Sequence, residues 1–125
     1  LAEVATENVV EGCVRETYAA LQAEWQGRHA HDPSVRAAYR RIAVDEARHA
    51  SLAWDVARWL APRLSAAELE HLEVARAEAI HALCLDRRVS PPPHLAGPLG
   101  LPSAAMALRL LAGLDDALWS RPVAA

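Results

Sequence analysis

The first sixty residues contain a single proline, Pro33, and it falls where a helical spacing of apolar residues is interrupted. From Leu1 to about Arg28, apolar side chains recur every three or four positions, which predicts one long helix. Asp32 before Pro33 pairs an N-cap carboxylate with a proline at the first helical position, so a second helix is predicted from there to Leu60. The short link between the two predicts an antiparallel pair.

The rest of the chain predicts two further helices separated by a proline-rich connector. The motif Ser-Ala-Ala-Glu beginning at Ser65 is a capping box, which predicts a third helix from Ser65 to about Arg87. Residues 90–100 contain prolines at four positions, and we predict an extended connector there because proline cannot donate to a helical hydrogen-bond ladder. A short last helix is predicted from Ser103 to Trp119.

The composition favours an all-α fold in one domain. Of 125 residues, 28 are alanine and 17 leucine, and none is phenylalanine, so the apolar fraction consists mostly of strong helix formers. We therefore predict a helix pair over residues 1–60 and a helical extension of the same domain over residues 61–125. A net charge of −3 gives no electrostatic attraction to nucleic acid. The sequence contains no run of about 20 apolar residues, so no membrane span is predicted.

Three ionisable residues fall on apolar lines of the two long helices. Written as heptads, the first helix places Glu11 on a line with Val4, Tyr18 and Trp25. The second helix places His49 on one inner line with Ile42, and Glu46 on the other inner line with Ala53 and Leu60. Burying a carboxylate without a partner costs several kcal/mol, a large part of a domain stability of about 5–15 kcal/mol, so these groups require a compensating charge.

A metal ion would supply that charge. Glu46 and His49 form a Glu-x-x-His element, whose spacing brings a carboxylate and an imidazole to the same helix face. In carboxylate-bridged di-metal bundles, such an element is paired with an inward glutamate like Glu11 on a neighbouring helix. Oxygen-rich ligands with one imidazole per metal suit iron or manganese better than zinc. A buried hydrogen-bonded cluster is the alternative interpretation of the same three residues.

Two more Glu-x-x-His elements occur in the predicted third helix, Glu68 to His71 and Glu78 to His81. The spacing alone is therefore weak evidence for a metal site. Because this helix is acidic over much of its surface, we interpret both elements as solvated helix-face residues.

A family resemblance is carried by two segments, EGCVRETY at residues 11–18 and IAVDEARHA at residues 42–50. Together they resemble one half of a ferritin-like domain of the rubrerythrin-related kind, over roughly residues 1–60. The resemblance implies carboxylate ligands at Glu11 and Glu46, with Glu46 bridging, and a terminal ligand at His49. It also implies that Asp45 accepts a hydrogen bond from a ligating histidine and that Tyr18 lies beside the metal.

In that superfamily two such helix pairs face each other and hold a di-iron centre, whereas this chain contains one pair. Three explanations stay open: a preceding helix pair belongs to the full protein, two copies share one site as a homodimer, or the site has decayed into a hydrogen-bond network. The first is favoured by a helical pattern that is already running at Leu1.

The implied function is binding of a non-haem di-iron or manganese centre, with oxygen or peroxide activation or iron oxidation. The alternative is a metal-free helical interaction or structural domain that uses its aliphatic face and tryptophans to bind a partner or a second copy.

Overall fold

The computed structural model describes residues 1–123, and within that range it contains helices and no strand. The first sixty residues form two antiparallel rods. The N-terminal rod, residues 2–29, is continuous because the residues at its internal junctions keep helical dihedral angles. It consists of α1 (Ala2–Glu7), a π-helical segment (Asn8–Glu16) and α2 (Thr17–His29). The second rod is α3 (Pro33–Leu60).

The second half of the chain packs around this pair. Its elements are a 3₁₀ turn (Ala61–Arg63), α4 (Ala66–Asp86), α5 (Pro93–Leu99), α6 (Ala104–Leu114) and a π turn (Asp115–Trp119). The all-α class and the predicted order of long helices are confirmed.

The predicted helix starts are confirmed by their caps. The Asp32 carboxylate accepts hydrogen bonds from the backbone N–H groups of Ser34 at 2.7 Å and Val35 at 3.3 Å. At the start of α4, the Ser65 hydroxyl accepts from the Glu68 N–H at 3.3 Å, while the Glu68 carboxylate accepts from the Ser65 N–H at 2.7 Å. Both caps satisfy amide groups that have no partner within their own helix.

The extended connector predicted for residues 90–100 is wrong in part, because α5 forms within it. Pro93 occupies the first helical position, where a backbone N–H would have no acceptor in the helix anyway, so it costs no hydrogen bond. Gly100 ends α5 with a φ of +64°, and an added Cβ there would lie 2.3 Å from the Ala30 nitrogen. The Gln26 amide also donates to the Leu99 carbonyl at 3.0 Å, which fixes α5 against the end of α2.

Small residues let the two rods approach closely. A Cβ added at Gly12 would lie 2.3 Å from the Ala53 Cβ, and the Arg40 Nε donates to the Gly27 carbonyl at 3.1 Å. The buried face of α3 consists mainly of alanine, and its residues are Ala50, Ala53, Ala57 and Leu60. Because the side chains at these positions are small, the axes of the two helices can lie close together.

The π-helical segment changes which face of the N-terminal rod is buried. Before and within it, Ala5, Val9 and Cys13 pack against α3 and α4, whereas Val14 and Tyr18 pack against α4, α6 and Trp119. The Trp119 indole donates to the Cys13 carbonyl at 3.0 Å, which supplies a donor within the segment. Bonding from i to i+5 takes up an extra residue, so the heptad register predicted from sequence fails across it.

Two residues that the heptad pattern predicts to be buried are exposed. Val4 is 57% exposed and lies outside the buried line of the N-terminal rod. On α3, Ile42 is 42% exposed because the buried face runs along the alanines instead. Among the residues that the structure describes, no single helix has the length and apolar composition to cross a membrane; only α5 taken together with residues 104–119, across a 52° bend, meets that test.

Candidate functional site

Glu46 and His49 lie side by side on α3, as their spacing predicts. The His49 Nδ1 is 3.8 Å from the Glu46 Oε2. Glu46 is half-buried, with 29% of its side chain exposed, and it lies on the same line as the buried Ala53 and Leu60. The predicted interior position of His49 is wrong, since 59% of its side chain is exposed. The two groups therefore offer a carboxylate and an imidazole at the margin of the core, where a ligand can reach both.

Glu11 does not join them. The contacts of Gly12 with Ala53 and of Gly27 with Arg40 set the antiparallel register of the two rods. In that register Glu11 lies level with the region just after Ala53, eight or nine residues from Glu46, which is about 12 Å along the helix axis at 1.5 Å per residue.

The side chain of Glu11 also faces away from the interior. It is 53% exposed and forms an ion pair with Arg15 at 2.8 Å. It borders an open groove that it shares with Glu7 and His71, together with Glu3 and other residues of α1. The predicted burial of Glu11 is therefore wrong, because the heptad was drawn through the π-helical segment, which rotates its residues relative to an α-helix.

Glu16 is a carboxylate that the sequence reasoning missed. The same register places residues 16–20 opposite residues 46–49, and Glu16 is the carboxylate in that part of the N-terminal rod. Glu16 is half-buried at the end of the π-helical segment. No sequence signal could have found it, because the level at which the two helices meet is fixed by the contact of Gly12 with Ala53.

Asp45 and Tyr18 lie in different surroundings from those implied by the resemblance. The Asp45 carboxylate pairs with Arg48 at 3.3 Å, and both side chains are largely exposed. Tyr18 is 2% exposed and lies on the side of α2 that faces α4. Burial raises the pKa of Tyr18 above its usual value, and the nearby Arg87 guanidinium opposes that rise.

The donor set fits a metal in part. Within residues 1–123, no group of three histidine, cysteine, aspartate or glutamate side chains converges on a common point. Glu46 and His49 are suitable in chemistry and spacing to bind one metal ion, whereas Glu11 is not placed to share it. The roles of Glu11, Glu46, His49, Asp45 and Tyr18 at a metal stay predictions.

An open apolar groove runs along α2 and α3 beside their contact. Its volume is about 690 Å³. Leu21 and Trp54 line its walls with several alanines, and Val44 and Leu118, which are 51% and 39% exposed, border it. Arg28 lies at one end of the groove with Glu24 and Arg40. This surface is large enough to receive apolar side chains of another helix.

Comparisons of this chain with models of protein families, with curated proteins and with solved structures found no match.

Proposed function

We propose that residues 1–60 form one helix pair of a ferritin-like bundle and that Glu46 and His49 supply ligands to a non-haem metal centre of iron or manganese. The observation that carries the proposal is the placement of this pair, 3.8 Å apart at the margin of the core of two closely packed helices. Of the three Glu-x-x-His elements, it is the one whose glutamate is half-buried, since Glu68 and Glu78 are exposed.

The remaining ligands come from a second helix pair, either from elsewhere in the same protein or from a second copy of this chain. Two protein ligands leave most coordination positions of an iron or manganese ion unfilled, so the site is incomplete in one helix pair. Within this chain, the N-terminal rod would add a carboxylate, which is Glu11 by the sequence resemblance and Glu16 by the register of the two rods. Among residues 1–123 neither carboxylate converges with both Glu46 and His49, so metal binding would have to draw it toward them.

When bound, an iron pair would supply oxygen or peroxide activation or oxidation of iron itself. The residues of this chain would hold and orient the metal. Glu46 would bind through its carboxylate, and its half-buried position would limit access of water to one side. His49 would bind through an imidazole nitrogen from the exposed flank, where a second helix pair can approach.

Metal analysis of the intact protein, loaded with Fe²⁺ under anaerobic conditions and then desalted, tests the proposal. We expect bound iron in the wild type and a loss of more than half of it in Glu46→Gln and in His49→Gln. The matched control is Glu78→Gln with His81→Gln, which removes a Glu-x-x-His element of the same spacing from the exposed face of α4 and should leave the iron content unchanged. No iron in the wild type, or equal loss in the control, would refute the assignment.

The same measurement on Glu11→Gln and Glu16→Gln identifies the carboxylate of the N-terminal rod. If the register of the two rods governs ligation, Glu16→Gln lowers the iron content and Glu11→Gln leaves it unchanged. The reverse result would show that the π-helical segment rearranges to bring Glu11 toward Glu46 when metal binds.

A second candidate function is a metal-free helical interaction domain, and the apolar groove between α2 and α3 is the observation that favours it. In this case the groove binds a second copy of the chain. A dimer in solution that is dissociated by Val44→Glu, together with an iron content of zero, would support this function over metal binding.

A further inference from the structure

The two ends of the apolar groove between α2 and α3 differ in chemistry. Arg28 and Arg40 lie at one end, with Glu24 beside them. At the other end, the Trp54 indole donates to the Thr17 hydroxyl at 3.2 Å, which satisfies the indole N–H and leaves the ring as an apolar wall. Between the two ends, the lining includes four alanines, Ala20, Ala43, Ala47 and Ala50. The groove is therefore apolar along its length and charged at one end.

The charged end contains one arginine in excess. Arg28 is paired with Glu24, one turn before it on α2. The Arg40 Nε donates to the Gly27 carbonyl at 3.1 Å, and among residues 1–123 no carboxylate lies within ion-pair distance of Arg40. A guanidinium has five N–H donors and can bind a carboxylate through two parallel hydrogen bonds. The excess charge at this end is therefore suited to one carboxylate.

The groove has the length of a medium-length alkyl chain. Arg28 lies eleven positions after Thr17 on α2, which corresponds to roughly 16 Å at about 1.5 Å per residue. An extended alkyl chain advances about 1.3 Å per carbon, so a chain of about 12 carbons reaches from one end to the other. The groove volume of about 690 Å³ is within the range of small-molecule sites in proteins.

The position of the charge favours an amphiphile over another protein helix. A surface helix carries charged residues along its whole polar face, whereas the charged side chains of this groove lie at one end. Val44 and Leu118 border the apolar part and are 51% and 39% exposed, so an alkyl chain in the groove would cover apolar surface. The net charge of −3 opposes adsorption to an anionic membrane, which favours a free amphiphile over a bilayer.

We propose that the groove binds a free fatty acid of about 12–14 carbons, whose carboxylate accepts hydrogen bonds from Arg40 and whose alkyl chain packs along the alanines toward Trp54. This site is independent of the proposed metal centre. Ala47 and His49 are two positions apart, which places them about 200° apart around α3. The groove and the metal-binding flank of α3 therefore lie on opposite sides of the helix.

Calorimetric titration of the intact protein with sodium dodecanoate, below its micelle-forming concentration, tests the site. We expect saturable binding of one molecule per chain. Each carbon removed should weaken binding by about two- to fourfold, which decanoate and octanoate measure. Dodecanol, which lacks the carboxylate, and dodecyltrimethylammonium, which has the opposite charge, should bind about tenfold more weakly or worse.

Two pairs of variants locate the ligand in the groove. Ala47→Glu places a carboxylate within the apolar lining and should weaken dodecanoate binding at least about tenfold, whereas Ala77→Glu, on the exposed surface of α4, should leave it unchanged. Arg40→Gln should also weaken dodecanoate binding about tenfold, whereas Arg41→Gln, at the exposed neighbouring arginine, should have no effect. Dodecanol binding should be the same in Arg40→Gln and the wild type, which separates loss of the carboxylate contact from distortion of the groove.

Several results would overturn the proposal. They are the absence of saturable dodecanoate binding, equally tight binding of dodecanol or dodecyltrimethylammonium, and equal binding by Ala47→Glu and Ala77→Glu. A dimer in sedimentation equilibrium that Ala47→Glu dissociates and dodecanoate does not would assign the groove to a second copy of the chain instead. Sedimentation of the protein with phosphatidylglycerol vesicles would assign it to a membrane surface, which also contradicts a site for a free fatty acid.

Discussion

Gly12 lies against α3 with no room for a side chain, and its replacement by alanine is expected to push the two rods apart. The new Cβ would lie 2.3 Å from the Cβ of Ala53 and 3.7 Å from its Cα. Because the Ala53 Cβ is attached directly to the backbone, it cannot move aside as the end of a long side chain could. The helices must separate by more than 1 Å to restore ordinary contact, which also strains the 2.9 Å hydrogen bond from the Asn8 amide to the Ala53 carbonyl.

The expected free-energy change combines three contributions. Overpacking of a core costs about 1–3 kcal/mol, and loss of the Asn8 bond costs about 1 kcal/mol. Replacing glycine by alanine within a helix stabilises the folded state by about 1 kcal/mol, which offsets part of this loss. The variant Gly12→Ala should therefore lower the free energy of unfolding by about 1–3 kcal/mol.

Urea unfolding followed by far-ultraviolet circular dichroism measures this change. Gly113→Ala is the matched control, because an added Cβ at Gly113 in α6 meets no atom within 4 Å, and that variant should gain about 0.5–1 kcal/mol. In a double-mutant cycle with Ala53→Gly, we expect a coupling free energy of about 1–3 kcal/mol that favours the double variant. If Gly12→Ala stabilises the protein as Gly113→Ala does, the close approach of the two rods and the register derived from it are wrong.

Three further predictions follow from individual side chains. Arg76 is buried and donates to the carbonyl of residue 121 at 2.7 Å, so Arg76→Ala should lower the free energy of unfolding by about 1–3 kcal/mol in a denaturant titration. Burial raises the pKa of the Cys13 thiol to about 12, whereas Cys84 is partly exposed. Iodoacetamide at pH 8 should therefore modify Cys84 first, which peptide mass spectrometry measures. Faster labelling of Cys13 would contradict its buried position. Hydrogen bonds from Ser34 lower the pKa of the Asp32 carboxyl. The stabilisation by this carboxylate is therefore complete above its unfolded-state pKa of about 3.9 and is lost as the pH falls through the lower folded-state pKa. Asp32→Asn should flatten the dependence of the melting temperature on pH in that acid range.

The starts of α3 and α4 could be predicted because they depend on hydrogen bonds between residues that are close in the sequence. Asp32 with Pro33 and Ser65 with its partner three residues later satisfy backbone groups within a single turn, so the neighbouring residues alone decide the outcome. The helix at Pro93–Leu99 could not be predicted in this way. It depends on a contact with the distant end of α2, where Gln26 donates to the Leu99 carbonyl.

The candidate site could be predicted only within one helix. Glu46 and His49 lie three positions apart on an uninterrupted α-helix, so their proximity follows from helix geometry. The relation of Glu11 to them crosses a π-helical segment and an interhelical contact, and neither has a reliable signature in a heptad pattern. The placement of Glu16 opposite α3 becomes evident only when the Gly12–Ala53 contact is known.

Diffraction at the iron absorption edge, from crystals of the intact protein loaded anaerobically with Fe²⁺, tests the metal proposal most directly. We predict an anomalous peak in coordination contact with both the Glu46 carboxylate and the His49 imidazole, completed by ligands from a second helix pair. An anomalous peak confined to the groove that Glu7, Glu11 and His71 line, or no peak in protein that is shown to be saturated with iron, would contradict the assignment of Glu46 and His49 as metal ligands.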